Sequence, residues 1–392
     1  MKKFIACCLL SCVYSFSLDQ VINTPQPNSL DGVSIQHASV VVAPDVRLHC
    51  TEAGERSDLN DNVVLMLHGF PDFWYTWKSQ IPSLVRAGYF VVAPDLRGYG
   101  ASDKPFGIEE YGAEAVTGDV EALRRHYCGE KPLALLAGHD WGGAIVWATL
   151  QRHTSVANRA VVLNVPHPVS FAEGFAKPMQ LLRSAYIFAF QLPWFPDLFL
   201  KTPVARWALT AELEAAVSAG VGLEASDGVD APPSLSPDDY KWYDTAIRTE
   251  GAARGGLSYY RASAAGLWPG FLPEWVPEFG CQVLRWLHGN SSLNTSLKGE
   301  QGRVDRGVVI ETPVLVIWGE FDNYLEIDLA TPKKELVPNL LGPVFLKGTH
   351  WVHHSQPRAV NDELLRFLAG ESCFNEGLGV GAAGGHCLGI KK

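Results

Sequence analysis

No pair of cysteines in this chain of 392 residues is spaced as CxxC, and no Cys/His grouping has metal-ligand spacing, which excludes a zinc module. A surplus of positive charge is missing too. The net charge is −10, which argues against nucleic acid or an anionic membrane surface as a partner. There is no internal repeat, so a repeat array is excluded. The uncharged N-terminal stretch Phe4 to Phe16 falls short of the ~20 apolar residues that span a bilayer. Of the eight cysteines, Cys7, Cys8 and Cys12 sit in that stretch. The five that remain, Cys50, Cys128, Cys281, Cys373 and Cys387, are an odd number and give no complete disulfide framework.

What is present suits a folded enzyme-sized body. Hydrophobic residues make up 47% and charged residues 19%, and the length allows one large core and a smaller lobe. Twelve Trp and eighteen Phe are compatible with an apolar substrate cavity and equally with an ordinary core. Met1-Lys2-Lys3, the apolar stretch and the small-x-small Ser15-Phe16-Ser17 make residues 1–17 read as a secretory signal peptide or N-terminal leader. The expectation is a secretory-pathway protein, secreted or in the endoplasmic reticulum, that meets a membrane only through that leader. Sequons at Asn290 and Asn294 agree with such a route.

Val40–Val42 and Val46–Cys50 flank Ala43-Pro44-Asp45 and predict an opening hairpin. Short, wholly apolar runs follow at Val63–Leu67, Tyr89–Ala93, Leu133–Ala137, Ala160–Asn164 and Val314–Trp318, with helical stretches such as Ala113–Tyr127 between them. Buried strands alternating with helices predict an α/β protein with a mainly parallel sheet covered on both faces. Pro343–Lys347 is the expected last strand and Ala359–Leu368 the closing helix. The alternation breaks after Pro168. Residues 169–308 show helical stretches, Met179–Gln191, Ala211–Ala219 and Tyr240–Glu250, but no strand. They read as a helical cap inserted into a core made of 33–168 and 309–370. Gly220–Pro237 and Gly289–Gly307 are loop-like within it, and 371–392 form a Gly-rich tail.

The chemistry centres on Gly138-His139-Asp140-Trp141-Gly142-Gly143, which lies between an apolar strand and an apolar helix. A strand, a tight glycine-flanked turn and a helix form the setting of the nucleophile elbow of the α/β-hydrolase fold. The residue at the tip is Asp140. A carboxylate nucleophile makes an alkyl ester, which suits attack on saturated carbon and suits acyl transfer poorly.

Such an ester must also be hydrolysed. His68-Gly69-Phe70-Pro71 follows the strand Val63–Leu67, where this fold presents an oxyanion-stabilising N–H. Phe70 and Trp141 are the expected backbone donors. The base should be a His after the last strand and its supporting acid should follow an earlier one. Loop position selects His350, in Gly348-Thr349-His350-Trp351, over His353 and His354, and Asp322 over Glu320. A neutral donor for the leaving oxygen would be a cap tyrosine. Tyr186, Tyr240, Tyr243, Tyr259 and Tyr260 all qualify by position.

These residues resemble an epoxide hydrolase of the α/β-hydrolase superfamily, of the short animal type without a phosphatase domain. The resemblance runs from about Val33 to Gly370. It rests on His68 to Trp77, on Ala93-Pro94-Asp95-Leu96-Arg97-Gly98-Tyr99-Gly100, on the Asp140 elbow, on Asn164-Val165-Pro166-His167-Pro168, on Trp318-Gly319-Glu320-Phe321-Asp322, and on His350-Trp351 with Pro357. It implies Asp140 as nucleophile, His350 as base and Asp322 as its acid. It also implies Tyr186 and Tyr260 as the tyrosine pair, and Phe70, Trp141 and Trp351 beside a small apolar epoxide, with no metal or cofactor. His353 and His354 stand where the family often has an acidic or amide side chain, Gly289–Gly307 is longer than the usual exit from the cap, and the tail after Gly370 has no counterpart. The alternatives are a haloalkane dehalogenase, which also uses an Asp elbow but commonly has Asn after His-Gly where this chain has Phe70, and a non-catalytic ligand receptor on the same fold.

Overall fold

Five-residue runs such as Val63–Leu67 are too short for a stable helix and wholly apolar, so they are held best with both faces covered. In the structure, a computed structural model that describes residues 26–202, 236–268, 270–273 and 308–370, these runs become the inner strands of a nine-stranded sheet. The strands are β1 (Ser29–Leu30), β2 (Val33–Ala43), β3 (Val46–Ala53), β4 (Val63–Leu67), β5 (Phe90–Pro94), β6 (Leu135–His139), β7 (Ala160–Leu163), β8 (Val314–Gly319) and β9 (Leu340–Leu346). Their order across the sheet is β1-β2-β3-β5-β4-β6-β7-β8-β9. The first three are antiparallel, β3 joins β5 antiparallel, and all later pairings are parallel. Every residue of β4, β5, β6, β7 and β8 is buried.

Two apolar cores sandwich the sheet. Val116, Val120 and Leu123 of the helix Ala113–Cys128 and Ile145 of the helix Trp141–Arg152 pack on one face. Ile81 and Leu84 of Gln80–Arg86 and Val360, Leu364 and Phe367 of Pro357–Ala369 pack on the other.

Element boundaries differ from expectation in instructive places. The opening hairpin extends to Val33 and Ala53. The strand expected over Leu133–Ala137 is shifted to Leu135–His139, because its far end must reach the Asp140 turn, and Leu133 makes only a lone bridge to Ala157. The last strand starts before Pro343. It lies at the sheet edge, where a missing N–H is tolerated, and a register shift opposite Leu315 and Ile317 absorbs Gly342 at φ +86°. The helix expected over Met179–Gln191 is two helices, Pro178–Arg183 and Ala185–Ala189, parted at Ser184, whose hydroxyl accepts from Gln180 Nε2 at 2.9 Å.

The described part of the cap adds Pro168–Gly174, Phe195–Phe199, Pro237–Arg248 and Ala252–Ala264. Pro237–Arg248 opens on a reciprocal capping box between Ser236 and Asp239. Between β7 and β8 the described residues form helices and turns and no strand. The expected helix Ala211–Ala219, the bulk of both loop-like stretches, the sequons, the leader and the tail lie outside the described residues. Among the described residues, no helix is long and apolar enough to cross a membrane.

Candidate active site

Asp140 joins β6 to the helix Trp141–Arg152 with φ +50° and ψ −122°, a backbone region that costs a side-chain-bearing residue of order 1–3 kcal/mol. The surrounding glycines are steric requirements. A Cβ on Gly138 would collide with the Gly142 backbone, one on Gly142 with the Leu67 carbonyl, and one on Gly143 with the Val165 side chain. The helix therefore lies tightly against β4 and its own strand, and the turn projects the carboxylate beyond the end of the sheet at a helix N-terminus.

The His68-Gly69-Phe70-Pro71 loop, just after β4, comes up against this carboxylate. The Phe70 N–H donates to Asp140 Oδ1 at 2.7 Å. A Cβ on Gly69 would stand 2.5 Å from the Asp140 Cβ, so only glycine permits this approach. Trp141 is the first helical residue, and its N–H belongs to the donors that a helix leaves without an internal acceptor.

His350 lies beyond β9 and Asp322 beyond β8, both buried. His350 Nδ1 and Asp322 Oδ2 are 2.8 Å apart, and His350 Nε2 lies 3.6 Å from Asp140 Oδ2. The imidazole is thus held between two carboxylates. Burial alone would lower its pKa, but the charge of Asp322 and the hydrogen bonds and charge from Asp140 and Asp322 outweigh burial and raise it to about 10. For Asp140 burial acts upward, yet the hydrogen bond and charge of His350, with His139 and the Phe70 N–H, hold it below its ordinary value. At neutral pH the site pairs a carboxylate with an imidazolium.

A cavity opens above Asp140. Asp140, His350, Tyr186 and Tyr260 all line it, with Trp141, Phe171, Phe271 and Tyr324 among its aromatic walls. Burial and the nearby Asp140 charge push both the Tyr186 and Tyr260 phenols upward, so both keep their protons and can donate. Their ring centroids are 5.8 Å apart. The other cap tyrosines have different settings. The Tyr259 hydroxyl donates to the Arg97 carbonyl at 3.0 Å, Tyr243 meets His354 Nε2 at 3.3 Å, and Tyr240 lies in the helix Pro237–Arg248.

Of the residues expected beside substrate, Trp141 is in the cavity wall. Phe70 borders an adjoining space with Tyr99 and Leu200. Trp351 stands behind His350 instead of lining the cavity, its indole N–H donating to Asp72 Oδ2 at 2.9 Å. The rival bases are occupied elsewhere, since Thr76 Oγ1 lies 2.7 Å from His353 Nε2 and 3.0 Å from His354 Nε2. Glu320 is exposed.

Sequence reasoning missed several supports. Asn164, at φ +46° past β7, donates from Nδ2 to Asp322 Oδ2 at 2.7 Å and accepts the Gly319 N–H at 3.1 Å. With the Tyr324 and Leu325 N–H groups on Oδ1, at 2.8 and 3.0 Å, all of the buried Asp322 carboxylate is engaged. His139 Nε2 donates to the His350 carbonyl at 2.9 Å. Asp72, buried beside it, has its pKa raised by burial to about 7. No single-residue signal marks these positions. Asn164 could have been suspected only from the polar break ending an apolar run.

Together these groups can attack saturated carbon, hold a developing oxyanion and take a proton from water. Among the described residues, no group of three or more His, Cys, Asp or Glu side chains is arranged to hold a metal ion. A family model described as alpha/beta hydrolase fold matches residues 62–357. The chain is 31% identical over 340 residues to the AB hydrolase superfamily protein YfhM of Bacillus subtilis (strain 168), spanning 86% of this chain and 99% of that protein. It is 30% identical over 329 residues to epoxide hydrolase 4 of Homo sapiens, spanning 83% of this chain and 77% of the human protein. The crystal structure of an epoxide hydrolase from Bacillus megaterium with an inhibitor superposes with TM-score 0.64 at 26% identity, over 85% of this chain and 100% of that one.

Proposed function

The chain belongs to the alpha/beta hydrolase family and is an epoxide hydrolase, and on that premise we propose that it converts a small apolar epoxide to a vicinal diol through a covalent ester on Asp140. The observation that carries this reading is the shared cavity, where an ionised carboxylate, an imidazolium and two protonated phenols meet.

In the first step Tyr186 and Tyr260 hold the oxirane oxygen. An Asp140 oxygen forms a bond to a ring carbon, the C–O bond of that carbon breaks, and the departing oxygen is protonated through the phenol pair. Ring strain drives this step, so weak acids suffice. The ester is neutral. Loss of the Asp140 charge removes one of the two anions that raise the His350 pKa, so the imidazolium releases its proton and becomes a base. The proton lost by His350 equals the one gained by the opened ring.

In the second step His350, oriented by Asp322, takes a proton from water, whose oxygen attacks the Asp140 carbonyl carbon. The N–H groups of Phe70 and Trp141 hold the resulting oxyanion. The ester C–O bond breaks, the diol departs with a proton from the new carboxyl, and the Asp140 carboxylate faces the His350 imidazolium again. A halide leaving group would need anion-binding N–H donors and no phenol pair, so the tyrosines favour an epoxide over a haloalkane.

The test is one turnover of styrene oxide in heavy-oxygen water with enzyme in excess. The diol should carry no solvent oxygen, the label should enter Asp140, and His350→Gln should accumulate enzyme heavier by one substrate. Solvent oxygen in that first diol would mean direct water attack and sink the ester mechanism.

A further inference from the structure

A third phenol stands at the same cavity. The Tyr324 ring meets His350 at 5.1 Å and Tyr186 at 6.0 Å between centroids, each edge to face, so these three rings form a continuous wall, with Trp351 packed behind it at 6.0 Å from Tyr324. Its backbone is fixed from two sides. The N–H donates to Asp322 Oδ1 at 2.8 Å, and the carbonyl accepts from Gln180 Nε2 at 3.0 Å. Gln180 is a fully buried amide of the cap, and its Oε1 accepts the Glu326 N–H at 2.9 Å. Arg183 adds a bond from Nη1 to the Asp322 carbonyl at 2.9 Å. The loop carrying the acid is therefore clasped to the cap segment that leads into Tyr186, with Tyr324 at the junction.

A separate aromatic group walls another part of the cavity. Trp141 stacks on Phe271 at 5.2 Å and 27°, and Phe171 packs on Phe271 at 5.0 Å. Ala144 and Val165 beside them are small and apolar, so this part suits an aryl or alkyl substituent.

Resting on the epoxide reading, we propose that Tyr324 sets the substrate class. It closes the His350 side of the cavity to any carbon substituent, so the site takes epoxides substituted at one ring carbon only. The substituent lies against Trp141 and Phe271, and the unsubstituted ring carbon faces Tyr324. The ring performs this exclusion and the hydroxyl does not.

The experiment compares kcat/KM for styrene oxide and for trans-β-methylstyrene oxide in the wild type, Tyr324→Phe and Tyr324→Val, with thermal melts of each. The wild type should favour styrene oxide by about tenfold or more, the discrimination a steric pocket gives against an extra carbon. Tyr324→Phe should keep that ratio, and Tyr324→Val should shrink it by about tenfold through faster turnover of the methyl-substituted oxide. A wild-type ratio near one overturns the proposal and needs no variant, so a misfolded variant does not shield it. An unchanged ratio in a Tyr324→Val enzyme that melts cooperatively overturns it too, and leaves the epoxide reading intact. Failure of the wild type on any epoxide would overturn that reading and this proposal with it.

Discussion

Lowering the pH from 7 to 5 should destabilise this protein while most of its carboxylates stay ionised, because several of its histidines are buried in the neutral form. Burial lowers the pKa of His139 and His354 to about 3 and that of His167 to about 4, and it moves His68 and His353 the same way. The neutral forms fit their bonds. His68 Nδ1 donates to the Gly69 carbonyl at 2.8 Å while its Nε2 accepts the Leu96 N–H at 2.9 Å, which leaves no acceptor for a second proton. Below the unfolded value of about 6.5 the unfolded chain binds these protons and the folded chain does not, so stability falls as pH falls. At about 1.4 kcal/mol per pH unit per proton, each of the three with a stated value costs about 2 kcal/mol by pH 5, or about 6 together. Asp72 opposes this. Its folded pKa of about 7 lies above the unfolded one, so on acidification it takes up a proton earlier in the folded state and returns about 3 kcal/mol. His350, raised to about 10, holds its proton in the folded state alone above 6.5, so it returns about 2 kcal/mol between pH 8 and 6.5 but adds almost no slope below that. The net is about 3 kcal/mol lost, with His68 and His353 adding more, against a total stability of order 5–15 kcal/mol. Urea melts followed by tryptophan fluorescence at pH 7, 6 and 5 read this directly, and His354→Gln should flatten the slope by about one proton. A midpoint that holds steady or rises between pH 7 and 5 would refute the reasoning.

Two further outcomes follow from the geometry. Asn164→Ala leaves the Gly319 N–H and one Asp322 oxygen short of a partner, so a loss of about 1–3 kcal/mol of stability is expected, with ester hydrolysis slowed more than ring opening. Rapid-quench mass spectrometry should show more ester-bound enzyme at steady state, and an unchanged ester fraction would deny Asn164 its hold on the acid. Gly69→Ala puts a methyl 2.5 Å from the Asp140 Cβ and should slow ring opening about 100-fold while the circular dichroism spectrum is preserved. Activity within twofold of wild type would show that the loop yields without displacing the nucleophile.

The central strands were legible because five-residue apolar runs have few alternatives to a covered sheet, and the elbow was legible because Gly138, Gly142 and Gly143 flank a polar tip between two apolar runs. Asp140, His350 and Asp322 followed from the order of loops along the chain, and the structure brings all three together. The tyrosine pair was different. Five cap tyrosines were equal by position, and only resemblance separated Tyr186 and Tyr260 from Tyr259, whose hydroxyl serves the Arg97 carbonyl. Asn164, Asp72 and Tyr324 were illegible for a common reason. Each acts through a partner far away in sequence, and no local periodicity reports such a pairing. Trp351 shows the same limit, because an indole beside the base can turn its N–H to either substrate or a buried carboxylate, and here it donates to Asp72.

β7 and β8 are parallel neighbours, paired from Ala160 with Val314 to Leu163 with Ile317. The sheet asks of the stretch 164–313 only a crossover of about a dozen residues. Asp140, His350 and Asp322 all sit outside that stretch, whereas Tyr186, Tyr260 and the Phe171 and Phe271 walls sit inside it. On the proposed mechanism, the groups that hydrolyse the ester therefore belong to the core and the tyrosine pair that holds the ring oxygen to the crossover, while Trp141 and Tyr324 in the same cavity stay with the core. Grafting another cap between β7 and β8 would retarget the enzyme while leaving its hydrolytic half in place, and the Gln180 and Arg183 clasp is the seam that such a graft would have to rebuild.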